Sequence, residues 1–169
     1  MAFSRSVAVG LCGLLVACSG WRERREVVER WLATDCGVGE RGRLEARLRQ
    51  LGPQLESALI DAFDHGPSSS ALKLALASGG QNYDQVQARL QANKSDGLDQ
   101  AEIAAIRAMS KKEHLARVQA DYVYSFRAAA LVGLAITRGA KGRELLRRLA
   151  ADGQSPFQHV AELALQRSP

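Results

Sequence analysis

The sequence predicts an all-α protein, and three observations predict it. Ala and Leu carry the apolar content, while aromatic residues make up only 5% of the chain. That balance suits close-packed helices better than sheets, which favour β-branched and aromatic residues. Apolar residues recur at helical spacing along most of the chain, and no segment sustains the period-two alternation of a half-buried strand. Two architectures satisfy these observations, a stack of helical hairpins or an irregular helical bundle.

The elements follow in order. Residues 21–33 read as a helix with Trp21, Val28, Trp31 and Leu32 on one stripe. Its polar face places Arg22, Glu26 and Arg30, and also Arg25 and Glu29, four residues apart for ion pairing. Trp21 is expected either in the domain core or in a lipid headgroup layer. Asp35 to Gly39, with two glycines, reads as a break. A second helix over 40–51 turns Leu44, Leu48 and Leu51 inward, with Arg41, Arg43, Arg47 and Arg49 around its other sides. Gly52-Pro53 ends it and opens a third, because Pro is tolerated in a first turn where its missing N–H has no partner to lose. That third helix is expected to bury Leu55, Leu59, Ile60 and Phe63 and to stop at Asp64-His65-Gly66-Pro67.

Ser68 to Ser70 offer N-caps to a short apolar helix, Ala71 to Ala77, which Gly79-Gly80 is expected to break. A weaker helix over 83–92 passes through Val86 and Leu90. Asn93 to Gly97 reads as a polar loop. Asp99 and Glu102 form a capping box, a reciprocal pairing of side chains with orphan N–H groups, before a helix carrying Ile103, Ile106 and Met109. Ser110 and Glu113 form a second, opening another stretch. Helices over 121–137, 141–151 and 156–166 complete the chain.

The first residues carry the most specific signal. An apolar run from Val7 to Val16 follows a start with one positive charge, Arg5, and is too short to span a bilayer. It closes on Leu15-Val16-Ala17-Cys18. This run resembles the lipobox of bacterial lipoproteins, although Val16 is bulkier than the usual residue there. The resemblance implies a signal peptide over 1–17, diacylglycerol (palmitate-type acyl) attachment to Cys18, and Cys18 as the new N-terminus. Ser19, where an Asp would favour retention in the inner membrane, points to the outer membrane and its periplasmic face.

The remaining domain, 18–169, holds 169 − 17 = 152 residues. Removing Arg5 leaves 22 Lys and Arg against 18 Asp and Glu, a net charge of +4. So modest an excess suits an anionic lipid or wall polymer, and it is weak ground for nucleic acid. The periplasmic compartment argues against nucleic acid more strongly. Cys36 is expected as a small buried hydrophobe or, in an oxidising space, as a bridge to a partner chain.

Two segments superpose at an offset of 152 − 121 = 31 residues. Asp121, Phe126, Ala130 and Leu134 match Asp152, Phe157, Ala161 and Leu165, with Gly133 against Ala164. Here Asp is expected to cap a helix, and Ala or Gly to admit a neighbouring helix. The order of helix, turn and helix over about 121–166 resembles HEAT-like helical repeats, including the phycobilisome-lyase type. The resemblance implies protein binding and assigns no catalytic residue.

No motif names a reaction. A calcium loop centred on Gly97 would need oxygen ligands at Ala92 and Ile103, so it is excluded. His65, His114 and His159 lack metal-ligand spacing. Asp61, Asp64 and His65 read as a solvated helix end, His114 as exposed and His159 as packed. No serine elbow or phosphate loop is present. The expectation is a non-enzymatic, cofactor-free, lipid-anchored protein that binds another protein. The alternative is an immunity or inhibitor lipoprotein that neutralises a toxin or enzyme in the periplasm. Candidate contacts are Arg41, Arg43, Arg47, Arg49, Tyr122, Tyr124, Arg143 and Arg147.

Overall fold

A computed structural model describes residues 20, 22–33, 38–92, 97 and 99–167; Cys18, Trp21 and Cys36 lie outside them. Every regular element among the described residues is helical, as the sequence predicts. These are α1 (22–32), α2 (Val38–Leu51), a 3-10 turn (Gly52–Leu55), α3 (Glu56–His65), α4 (Ser69–Gln91), α5 (Gln100–Ala108), α6 (Lys111–Thr137), α7 (Ala140–Ala151) and α8 (Gln158–Gln166). No helix among them is long and apolar enough to cross a membrane. The helices divide into two compact units, one running to His65 and resuming at Phe126, the other spanning Gly66–Ser125. α6 passes through both without a break.

The first unit is an array of antiparallel helices with two distinct ends. At one end, where α1 begins, Glu23 pairs with Arg47 of α2 and Arg24 donates to Gln54 at 3.2 Å. Gly52, with φ +53°, lies against the Thr137 carbonyl at the end of α6. Only a residue without Cβ adopts that backbone at little cost. Glu56 reaches the first turn of α7 there, accepting from the Gly142 N–H at 2.6 Å. At the opposite end Arg41 of α2 stacks over the Trp31 ring at 5.1 Å, and Arg127 of α6 donates to the Asp64 carbonyl at 3.1 Å. Phe63 meets Phe157 edge-on there, with ring centroids 5.3 Å apart. Thus α1, α3 and α7 run away from the first end, and α2, α6 and α8 return to it.

Between the ends lies an apolar core. Leu48, Leu55, Leu59, Leu131, Leu134 and Leu146 are fully buried, joined by Val28, Trp31, Ala130 and Ala161. Each buried leucine contributes roughly 1.5–3 kcal/mol. Val27 is also buried, which the α1 stripe drawn from sequence did not include. Gly133 is the closest approach. A Cβ there would stand 2.9 Å from both Leu59 Cδ2 and Trp31 Nε1. The Trp31 indole N–H, so admitted, donates to the Ala129 carbonyl at 2.7 Å.

The second unit corrects the sequence reading. Gly79-Gly80 does not break a helix: α4 runs from Ser69 to Gln91 through both glycines, and both are buried. The reason is packing against α6, since a Cβ on Gly79 would lie 3.0 Å from Val118 Cγ1. The contact between helices outweighs the roughly 1 kcal/mol by which Gly disfavours a helix interior. At the start of α4 the Ser68 side chain accepts from the Ala71 N–H, as expected of that serine cluster.

Three further expectations change. Asp121 caps nothing; it is exposed in the middle of α6. Asp152 follows α7 and accepts from the Gln154 N–H at 3.0 Å, while Phe157 occupies the N-cap of α8. The small-residue pairs of the 31-residue offset do share an environment, because Ala130, Ala161, Gly133 and Ala164 are all buried. Gly39, expected in a break with Asp35, belongs to α2 instead, while residues 34–37 lie outside the described ones.

Candidate functional site

Helix termini organise the polar chemistry of this fold. α7 begins at Gly139, which has no side chain to cap its free N–H groups. The carboxylate of Glu56, 86 residues earlier, fills that role from α3. A negative group at a helix N-terminus meets both the orphan donors and the positive end of the helix dipole. The absence of side chains at Gly139 and Gly142 makes the room: a Cβ at either would crowd Glu56. Neither glycine announces this partner in the sequence; only the empty space around the two hinted that something enters it.

Beside that contact, α3 and α7 frame an open recess of about 290 Å3 lined by Ile60, Asp64, Lys141, Glu144, Leu145 and Arg148. Two cations and two carboxylates share a partly apolar floor.

In the second unit the α5 carbonyls that lack helical partners are met by α4 side chains. Tyr83 donates its hydroxyl to the Met109 carbonyl at 2.8 Å, and Gln87 donates to that of Ile106 at 3.0 Å. Arg107 returns the interaction to the Leu90 carbonyl at 3.3 Å, and Lys111 pairs with Asp84 at 2.6 Å. The His114 ring lies 5.4 Å from that of Tyr83 and is half-buried. This overturns its expected exposure, because the turn carrying Leu115 and Val118 faces α4. His159, expected to be packed, is instead exposed on α8, where Ala161 and Ala164 take the inward positions.

Both capping boxes form. Asp99 and Glu102 exchange side-chain and backbone bonds at 2.8 and 2.9 Å. Glu113 accepts from both the N–H and the hydroxyl of Ser110 at 2.8 Å. The Ser110 N–H, then its hydroxyl and more weakly Arg117, hold the Glu113 carboxyl below the usual carboxylate range. His65 stands 3.1 Å from Asp61 at the end of α3. Among the described residues no cluster of His, Cys, Asp or Glu is arranged to hold a metal ion.

The candidate contacts do not converge on one spot. Arg41 stacks on Trp31 and Arg43 is exposed near the α2 start. Arg47 is engaged by Glu23 and Gln50, and Arg49 by Glu45 at 2.5 Å, at the other end of that helix. On α7, Arg147 is exposed, while Arg143 is half-buried with its Nε enclosed and without a hydrogen-bond partner. Tyr124 is 42% exposed and Tyr122 half-buried, so Tyr124 is the better placed of the two to meet another molecule. Sequence reasoning missed Leu74, which at 72% exposure is the most exposed large hydrophobic residue among those described. It lies in the apolar run Ala71 to Ala77, from which spacing alone singled out no exposed member. Comparison of the chain with protein-family models, with curated proteins and with solved structures found no match.

Proposed function

We propose that this chain is a lipid-anchored lipoprotein whose helical domain binds another protein without catalysing a reaction. The anchor reading rests on Leu15-Val16-Ala17-Cys18 after a short apolar run. It places Cys18 in the outer membrane, with the helices on the periplasmic side. Acyl chains contribute about 0.8 kcal/mol per buried methylene, so two or three chains hold a protein at a bilayer effectively permanently. The HEAT-like reading of 121–166 belongs to the same proposal: hairpins of antiparallel helices present side chains along extended faces, and such surfaces suit protein partners.

The observation that carries the binding role is Leu74, exposed on α4 beside Lys73, with Tyr124 exposed on α6. Large apolar and aromatic side chains exposed in one unit are the groups from which contact anchors are drawn. The charged residues Arg43 and Arg147 would then tune approach and orientation more than affinity.

Crosslinking in intact cells, followed by purification and mass spectrometry, tests this reading. The anchored chain is expected to enrich one protein, and Leu74→Asp to lose it, with Cys18→Ala changing where the partner is met. A secreted toxin as that protein would favour the immunity reading. Enrichment that survives both Leu74→Asp and Tyr124→Ala would contradict the proposed contact.

A further inference from the structure

We infer that the end of the first unit where α1 begins is a membrane-facing surface for anionic phospholipid, holding the anchored domain in one orientation. This rests on the Cys18 anchor proposed above, and it adds which face of the protein meets the bilayer. The contacts that define this end gather residues from five helices. Arg22 and Arg24 open α1, Arg49 lies in the last turn of α2, Arg138 and Lys141 flank the α6–α7 turn, and Arg167 follows α8. Five of the six are exposed; Arg24 is half-buried and engaged on Gln54.

Few carboxylates balance them. Glu23 is engaged by Arg47, Glu45 by Arg49, and Glu56 is committed to the first turn of α7. Glu144 shares the α3–α7 recess with Lys141. Arg22, Arg138, Lys141 and Arg167 make no ion pair among the described residues, so their charge is available to a ligand. The opposite end is more mixed. There Asp61, Asp64 and Asp152 are interspersed with the exposed Arg43, Arg147 and Arg148, with Arg127, which is used on the Asp64 carbonyl, and with Arg41, which lies over Trp31.

Position relative to the anchor decides the partner. The four residue steps from Cys18 to Arg22 span at most about 14 Å even when fully extended. The basic end is therefore tethered within reach of the headgroups, while screening at physiological salt acts over about 8 Å. Each Lys or Arg near an anionic surface strengthens adhesion by about fivefold. Four unpaired cations thus suffice to choose among orientations of a tethered body. A soluble acidic protein would find the same charges, but it would have to enter the narrow gap that the tether leaves.

The test uses the purified full-length lipoprotein reconstituted in vesicles of phosphatidylcholine alone or with about one-third phosphatidylglycerol. A membrane-impermeant amine reagent, sulfosuccinimidyl acetate, reads the exposure of individual lysines by mass spectrometry. Labelling of Lys141 is expected to slow at least fivefold when phosphatidylglycerol is present and to recover in high salt. Lys112, exposed on α6, is expected to keep its rate. The double variant Arg138→Glu with Arg167→Glu is expected to restore Lys141 labelling, with helicity checked by circular dichroism. An unchanged Lys141 rate, or an equal slowing at Lys112, would overturn the inference. The intact mass of the same preparation reports the acyl chains on Cys18 separately. Their absence would defeat the anchor reading and this inference together, whereas their presence with an unchanged Lys141 rate would defeat the orientation alone.

Discussion

The two units of this chain are held together by different physics. In the first, fully buried leucines from α2, α3, α6 and α7 and the 3-10 turn surround Trp31, and the polar contacts sit at the ends. In the second, Leu90 and Ile103 are the buried large apolar residues among those described, with Gly79 and Gly80. Its helices are joined instead by Tyr83, Gln87 and Arg107 reaching backbone carbonyls, and by Lys111 with Asp84. A hydrogen bond gives a net ~1 kcal/mol, because its partners were solvated before folding, whereas a buried leucine gives about two or three times as much. The first unit is thus held chiefly by apolar burial and the second chiefly by hydrogen bonds, so the second is expected to open at lower cost.

Substitutions that act on one unit and spare the other sharpen this contrast. The largest effect is expected from Leu59→Ala, which opens a cavity beside Trp31 and Gly133 and costs about 2–5 kcal/mol, measured by chemical denaturation. Next comes Gly79→Leu, which forces a side chain into Val118 and destabilises the second unit by about 1–3 kcal/mol. Val118→Ala in the same chain is expected to restore part of the loss. Amide exchange resolved by segment checks that the first unit is spared.

Glu56→Gln keeps the shape but removes the charge at the α7 N-terminus, an expected loss of about 1 kcal/mol read as a lowered unfolding midpoint. Tyr83→Phe deletes one donor to Met109, with a cost of about 0.5–1.5 kcal/mol confined to the second unit. The smallest effect concerns Glu113. Its folded carboxyl titrates below its unfolded value, so its contribution is complete above the unfolded value and is lost as pH falls through the folded one. Glu113→Gln is expected to flatten that part of the acid titration of stability and to leave neutral-pH behaviour nearly unchanged.

The helical class, the α1 ion pairs and both capping boxes were legible in the sequence because each depends on residues within one turn or two. Arg25 with Glu29, and Ser110 with Glu113, are of this kind. The burial of Leu44, Leu48 and Leu59 followed from spacing in the same way. What failed depends on distant partners. Gly79-Gly80 looks like a helix breaker until Val118 is brought against it, and Asp121 looks like a cap until α6 is seen to run through it. Glu56 and Gly142 are joined only by the fold. The candidate contact residues were recognisable as charged or aromatic, but not which of them are already occupied: Arg47 is held by Glu23, whereas Arg147 stands exposed.

Hydrogen exchange read by mass spectrometry on the intact chain tests the central contrast most directly. Amides of α4 and α5 are expected to exchange through an opening of the second unit, well before those of α1, α3 and α7, which wait for global unfolding. Gly79→Leu should hasten the first group alone. Equal protection across all of these helices, lost in a single step, would contradict it.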